Sequence, residues 1–315
     1  MNTTGHLRIA VINGGQSAEA EVSKSSARGV IQALKQNYDY VADIELDQNL
    51  VNTLRDFSPD VVFPVLHGPP GEDGTLQGFL EILEYPYVGS NVHGSAFAMD
   101  KIVSKGIFRE AGLPLIPQIT ASQSDGIAAA VKQIIETLGD YVVVKPARQG
   151  SALGVAMIDN ADQLNEGLKQ AFKFDERLLV EKRIDGKEIT VGVIDTQDGC
   201  KPFDVIDIVT PENTWYDYEH RYTKGLSEHL IPANLPEAQT LALQNIAVTA
   251  HQVLGCRDLS RADFIVTEDE IFLLEVNTLP GMTPTSLYPD GAKAFGLDFP
   301  QLVSHLVERA AARAS

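Results

Sequence analysis

Three oxygen-bearing side chains interrupt two apolar runs near the end of the chain: Asp263 in Arg261-Ala-Asp-Phe-Ile-Val, and Glu275 and Asn277 in Ile271-Phe-Leu-Leu-Glu-Val-Asn. The acidic turn Thr267-Glu-Asp-Glu between the runs predicts a β-hairpin. Glu275 and Asn277 are two apart, so they leave one face of their strand, where Asp263 can join them from the neighbouring strand. An all-oxygen set suits Mg²⁺, which takes few protein ligands and completes its octahedron with water and phosphate. The bland alternative is a carboxylate pair flanking a solvated hairpin. Burial would exclude that, because buried carboxylates need a compensating charge.

A phosphate ligand needs cations, and the chain is short of them, with 25 Lys and Arg against 43 Asp and Glu and a net charge of -18. That balance argues against nucleic acid or an anionic membrane as partner. Local cations must then serve any polyanion. Lys145 ends the apolar run Tyr141-Val-Val-Val-Lys-Pro and precedes the small-residue loop Ala147-Arg-Gln-Gly-Ser-Ala-Leu-Gly154. Strand, loop and strand make a flap whose Gly150 and Ser151 N–H groups can approach phosphate, and Lys145 makes sense against that phosphate. Lys101, on a helix upstream, is a second cation. This inventory suffices for a kinase or an ATP-dependent ligase. Arg261, on the strand face of Asp263, can neutralise an oxyanion. Ser286-Leu287, after Pro-Gly-Met-Thr-Pro-Thr, has the form of a helix start that can receive a carboxylate. Carboxylate receptor, oxyanion donor and Mg-ATP together favour carboxylate activation followed by amine attack.

The elements that must position these groups alternate in type. Leu7-Arg-Ile-Ala-Val-Ile12 predicts a strand, Gly14-Gly15 a turn, residues 18–34 a helix, 41–46 a strand, 51–57 a helix and 60–66 a strand ending at His67. Such alternation predicts a parallel sheet with its crevice at the carboxyl ends of the strands. A dinucleotide fold with Asp47 as ribose acid is disfavoured, because Gly14-Gly-Gln-Ser-Ala-Glu19 lacks the G-x-G-x-x-G spacing, and no Walker A sequence occurs. Glu19 has a plain reading as a carboxylate in a first helical turn. His67-Gly-Pro-Pro-Gly-Glu-Asp-Gly74 lies where open α/β sheets place their sites, with a satisfied surface histidine as the alternative. A helix over 75–84, a short strand at 87–88 and a long helix over 92–111 carrying Lys101 and Lys105 lead to a boundary at Leu113-Pro-Leu-Ile-Pro117. Beyond it come helices over 125–138 and 161–172, strands over 177–182, 187–194 and 203–208, an aromatic loop from Trp215 with the length of a functional lid, and helices over 236–254 and 302–313. The N-terminus lacks a signal-peptide pattern, no run is long and apolar enough to span a bilayer, and the two cysteines, Cys200 and Cys256, read as structural or incidental. Cytoplasm is the expected compartment.

Ordered segments along nearly the whole chain resemble the ATP-grasp superfamily and, within it, the D-alanine–D-alanine ligase family. They are Gly14-Gly-Gln-Ser-Ala-Glu-Ala-Glu-Val-Ser23, His67-Gly-Pro-Pro-Gly-Glu-Asp-Gly-Thr-Leu-Gln-Gly78, Met99-Asp-Lys101, Lys145-Pro-Ala-Arg-Gln-Gly-Ser151, Glu181-Lys182, Tyr216-Asp-Tyr-Glu-His-Arg-Tyr222, Arg261-Ala-Asp263, Glu275-Val-Asn-Thr-Leu-Pro-Gly-Met-Thr283 and Ser286-Leu287. The resemblance implies an α/β, three-domain ATP-grasp enzyme. Its parts are an N-terminal parallel α/β sheet domain (1–114) that binds substrate, an α+β central domain (115–195), and a C-terminal domain (196–315) with the metal and substrate site and a mobile loop near 211–232. It implies ligation of two D-alanines through an acyl phosphate for peptidoglycan precursor synthesis, with ATP and two Mg²⁺ or Mn²⁺ ions, in a homodimer.

By the same resemblance Glu19 binds the first ammonium and forms a lid-closing trio with Ser151 and Tyr222, and His67 orients the first substrate. Lys101, Lys145, Gly150 and Ser151 grip phosphates, with Arg221 near the γ-phosphate. Glu181, Lys182 and Ile184 meet adenine and Glu188 the ribose. Asp263, Glu275 and Asn277 hold metal, Arg261 and the Gly281 N–H form the oxyanion site, and Ser286-Leu287 takes the second carboxylate. Three departures stand out: Arg221 where the family usually has lysine, Ala152 where a second serine is common, and Pro69-Pro70 in a loop that is often glycine-bearing. D-serine or D-lactate as second substrate, and an ATP-binding regulatory protein without turnover, are the competing readings.

Overall fold

The computed structural model describes residues 6–15, 19–211, 223, 225–283 and 286–313. Three sheets organise them. In the first, β1 (Arg8–Asn13) lies between β2 (Tyr40–Glu45) and β3 (Val61–Pro64), all parallel. A central parallel strand is covered on both faces, and β1 is accordingly an almost unbroken apolar run. Ile9 and Val11 face one core and Ala10 and Ile12 the other. The second core is filled by α2 (Leu50–Phe57) and α3 (Thr75–Ile82) through Leu50, Leu54, Leu76 and Leu80.

The second sheet is antiparallel with order β4-β7-β5-β6, from β4 (Gln118–Ser122), β5 (Val142–Pro146), β6 (Ala156–Ile158) and β7 (Arg177–Lys182). Helices α6 (Ile127–Leu138) and α7 (Ala161–Ala171) pack on one face through Ala130, Ile134, Leu164 and Leu168. The third sheet is also antiparallel. Its order is β11-β10-β8-β12-β13, with β9 (Gly199–Pro202) on the far end of β8 (Lys187–Thr196); the others are β10 (Ile206–Val209), β11 (Glu228–Leu230), β12 (Leu259–Val266) and β13 (Ile271–Asn277). Helix α8 (Glu237–Val253) covers one face of this sheet, and α9 (Leu287–Ala294) and α10 (Phe299–Ala312) complete the chain.

Several expectations change. The long helix over 92–111 is two, α4 (Val92–Met99) and α5 (Lys101–Glu110), broken at Asp100, whose backbone is extended and whose carboxylate accepts from the N–H groups of Ile102 and Val103. Asp competes with helix by capping it, so the break places Lys101 at the first turn of a new helix. Strand β8 pairs with β10 and β12, so sheet membership changes in the turn 183–186 and not at residue 195. The closing helix α10 belongs to the first sheet's core, since Leu302, Val303, Leu306 and Val307 cluster with Ile9, Val11 and Phe63. Strand β4 has no counterpart in the sequence reading, because Gln118-Ile-Thr-Ala-Ser is short and follows a proline-rich stretch.

Candidate active site

The hairpin β12–β13 sets Asp263 opposite Glu275 and Arg261 opposite Asn277, with a bulge after Asp263. A bulge re-aims side chains and is common beside functional sites. Asp263 accepts from Arg261 Nε at 2.9 Å and Nη2 at 2.8 Å, from Thr190 Oγ1 at 2.6 Å and from Asn277 Nδ2 at 3.1 Å. Glu275 meets Lys101 Nζ at 3.2 Å. The carboxylates are thus buried or half-buried and charge-compensated, which excludes the solvated-hairpin alternative. Asn277 spends its amide nitrogen on Asp263, which leaves its carbonyl oxygen as the acceptor of that side chain. This all-oxygen donor set fits Mg²⁺.

Beside it, between the second and third sheets, lies a cavity of ≈ 310 Å³ lined by Lys101, Lys145, Gly150, Ser151, Glu181, Lys182, Ile184, Glu188 and Glu275. Much of the remaining wall is apolar, with Ile116, Val143, Leu153, Met157, Ile265 and Leu274. Lysines and apolar walls in one cavity suit a flat base with a phosphate tail. Sequence reading missed these apolar residues, which carry no chemical label. Leu274 is the extra residue of the bulge, between Glu275 opposite Asp263 and Leu273 opposite Phe264, and strand alternation alone would set it on the face away from Glu275.

Lys145 is not an unpaired charge awaiting phosphate. Its Nζ meets Glu181 Oε2 at 2.5 Å, and Lys105 Nζ meets Glu181 Oε1 at 2.7 Å and the Leu273 carbonyl at 2.8 Å. Burial pushes the Glu181 carboxyl up, but the two ammonium groups outweigh it and hold the pKa at about 2. Burial likewise pulls Lys145 down, and Glu181 reverses this and holds it above its usual value. Lys105, the more deeply enclosed, is drawn below its usual value by desolvation. Two lysines on one carboxylate leave a net positive charge under the cavity.

The flap between β5 and β6 is fixed at its base. Arg148 makes a bidentate pair with Asp175, through Nε at 3.0 Å and Nη2 at 2.8 Å, and Lys101 Nζ donates to the Gln149 carbonyl at 2.7 Å. Ser151 and Ala152 have positive φ of 45° and 59°, turning the flap back on itself. At Gly154, φ is +73° and an added Cβ would lie 2.6 Å from the Phe174 ring, so only glycine fits.

At the tip of the flap, Ser151 Oγ donates a hydrogen bond to Glu19 Oε1. Glu19, 4% exposed, immediately precedes α1 (Ala20–Leu34). His67, at the end of β3's run, is buried, and its Nε2 has no hydrogen-bond partner among the described residues. Desolvation lowers its pKa, Glu19 opposes this and Arg261 reinforces it, which also places His67 within electrostatic reach of both groups. Glu72, unremarked in the sequence reading, faces a small cleft shared with Lys101, Gly150, Glu275 and Asn277 and accepts from the Gly68 N–H at 2.6 Å. Desolvation and the nearby Glu19 push its carboxyl up to about 8. Only its place in Gly71-Glu-Asp-Gly74 beside His67 hinted at it.

Past Asn277 the chain turns so tightly that a Cβ at Gly281 would lie 2.7 Å from Ser286 Oγ. Ser286 precedes α9, and its Oγ accepts from the Thr283 N–H at 3.0 Å; Leu287 is buried. Arg221 and Tyr222 lie outside the described residues.

A nucleotide-sized cavity clasped between two antiparallel sheets, with lysines in its lining and an acidic closing hairpin, defines the ATP-grasp class. Models of the family agree: "D-ala D-ala ligase C-terminus" matches residues 107–308 and "D-ala D-ala ligase N-terminus" residues 45–90. A D-alanine–D-alanine ligase of Halalkalibacterium halodurans is 43% identical over 304 residues, covering 96% of this chain and 98% of that protein. One from Desulforudis audaxviator is 42% identical over 307 residues, covering 97% and 99%. The crystal structure of a Bacillus anthracis D-alanine–D-alanine ligase complexed with ATP superposes with a TM-score of 0.84 at 31% identity, covering 98% of each chain. The chain belongs to the D-alanine–D-alanine ligase family.

Proposed function

We infer that this chain joins two D-alanines with ATP, giving D-alanyl-D-alanine, ADP and phosphate for peptidoglycan precursor synthesis. The relatives of closely similar length bear that name. The observation that carries the reading is the hydrogen bond from Ser151 to Glu19, which joins the flap between β5 and β6 to the carboxylate at the start of α1. ATP supplies the phosphoryl group that turns the first carboxylate into an acyl phosphate, which the second amine then attacks.

The chain's own groups would divide the work by charge. Glu19 would hold the first ammonium, with His67 alongside. Lys101, Lys145 and the Gly150-Ser151 amides would hold the phosphates, Ile184 and Lys182 the base, and Glu188 the ribose. Glu181 would act from beneath, by fixing Lys145. Asp263, Glu275 and Asn277 would hold Mg²⁺, which supplies positive charge at the phosphates. Arg261 and the Gly281 N–H would stabilise the tetrahedral oxyanion, and the start of α9 at Ser286-Leu287 would receive the second carboxylate. Arg221 and Tyr222 would complete the lid.

A three-domain organisation, with its second division in the turn 183–186, a homodimer and a cytoplasmic setting belong to the same proposal; among the described residues no helix is long and apolar enough to cross a membrane. The test is to supply ATP, Mg²⁺ and D-alanine and follow ADP, phosphate and dipeptide, with D-serine and D-lactate in parallel. Stoichiometric ADP and dipeptide from D-alanine alone are expected. Absence of D-alanine-dependent ADP release overturns the activity, and preferential use of D-lactate overturns the second substrate.

A further inference from the structure

At the end of the third sheet away from the nucleotide cavity, three different donor types converge. Asp195 and Cys200 are direct cross-strand partners in the β8–β9 hairpin, so their side chains share a face. That face meets α8 at His251. The ligand atoms of Asp195, Cys200 and His251 all lie within 4.8 Å of one another.

Two observations separate this cluster from an ordinary polar network. His251 is 1% exposed, yet its Nε2 makes no aligned hydrogen bond, although Asp195 Oδ1 is only 3.3 Å away. Its Nδ1 is 2.8 Å from Ser260 Oγ, an arrangement that suits a proton on Nδ1 and a lone pair on Nε2 aimed at the cluster. Asp195 is similarly divided: Oδ2 accepts from the Asp258 N–H at 2.7 Å, while Oδ1 faces Cys200 Sγ at 3.0 Å and His251. His251 and Asp195 thus each have a second contact that orients them, and the donor atoms of all three residues face one another at short range.

We propose that Asp195, Cys200 and His251 form a cation site, separate from the catalytic one, for Zn²⁺ or a similar thiophilic divalent ion. Sulfur, imidazole and carboxylate in one set favour Zn²⁺ over Mg²⁺, with water as the fourth ligand. Binding replaces the Cys200 S–H bond with a sulfur–metal bond and releases that proton to solvent, as ligation of any thiol requires. Thiolate and carboxylate together match the ion's two charges. Arg309 Nη2, 3.8 Å from Asp195 Oδ2, is the opposing cation and lies on the side of the oxygen not offered to the metal. Half-exposed Cys200 gives the ion a way in. The bound ion pins the β8–β9 hairpin to α8, and the His305 contact to the Asp195 carbonyl at 2.7 Å extends the link to α10. Asp195 is seven residues along β8 from Glu188, about 23 Å, so the site is independent of the nucleotide cavity.

The test is titration of chelator-treated full-length protein with Co²⁺ alone, read by thiolate-to-cobalt charge-transfer absorption. One equivalent per chain is expected, displaced by Zn²⁺ and not by excess Mg²⁺. The band should disappear in Cys200→Ser and persist in Cys256→Ser, and Zn²⁺ should raise the melting midpoint of wild type and Cys256→Ser only. No thiolate band, or a band that survives Cys200→Ser, overturns the proposal. Co²⁺ taken up by the carboxylates of the hairpin cannot imitate the result, because no sulfur lies there.

Discussion

Arg261, proposed as an oxyanion donor, is first of all fixed by the architecture. Its guanidinium is bidentate to Asp263 and only 8% exposed, so it is held in place before any substrate arrives. Removing one such oxyanion donor costs about 10²–10³ fold in turnover. Arg261→Ala is therefore expected to lose turnover on that scale in an ADP-release assay while retaining its circular dichroism spectrum. Arg261→Lys should rescue little, since an ammonium cannot reproduce the planar fork. Glu72 supports a different prediction. With its carboxyl raised from 4.5 to about 8, the native state binds more protons than the unfolded chain across that window, so this group's contribution makes stability fall as pH rises through it and level off above it. Glu72→Gln keeps an acceptor for the Gly68 N–H and removes the titration. Its melting midpoint should gain on wild type from pH 4.5 to about 8, and a constant difference between the two would show that Glu72 is not neutral in the native state.

Among the elements, the strand β7 and the helix α5 are joined by buried charge. Glu181 on β7 is the shared partner of Lys105 on α5 and Lys145 on β5, and the Lys105 contact to the Leu273 carbonyl carries the link to β13. Breaking a buried pair by removing one partner costs about 3–5 kcal/mol, because an uncompensated charge remains. Glu181→Gln strands two, so urea unfolding should show a loss at least in that range, together with weaker ATP binding by calorimetry. Restoration of wild-type stability in Glu181→Gln with Lys105→Met would identify the stranded Lys105 charge as the cause. The break between α4 and α5 belongs to the same device. A continuous helix through residue 100 would leave Asp100 without the two amides it caps, and Lys101 without the first-turn position from which it reaches Gln149 and Glu275.

Over the whole molecule, the last helix closes the first sheet. Leu306 on α10 is fully buried in a core shared with β1, β3 and α1. Leu306→Ala should cost about 2–5 kcal/mol, as core truncations do. Because this core joins the two ends of the chain, the loss should appear as a shift of the whole unfolding transition. An early partial transition confined to the C-terminal segment would contradict that coupling. The same closure brings Glu19, from the first unit, within reach of Ser151 and His67.

The sequence by itself determined local identity: which runs alternate, where Asp263, Glu275 and Asn277 share a strand face, where glycine and small residues allow a flap, and where Ser286 starts a helix. Those are properties of short segments, fixed by pleat, periodicity and capping. It also carried the family, through ordered motifs that tertiary context does not alter. Only the folded chain decided which distant groups neutralise one another. That Lys145 answers to Glu181, that Lys105 is a buried partner and not a surface lysine, that Glu72 stands beside Glu19 and that α10 joins the first sheet all depend on contacts between segments tens to hundreds of residues apart. Desolvation and charge pairing are properties of a surrounding volume, and the one-dimensional order of residues does not specify that volume until the sheets have packed.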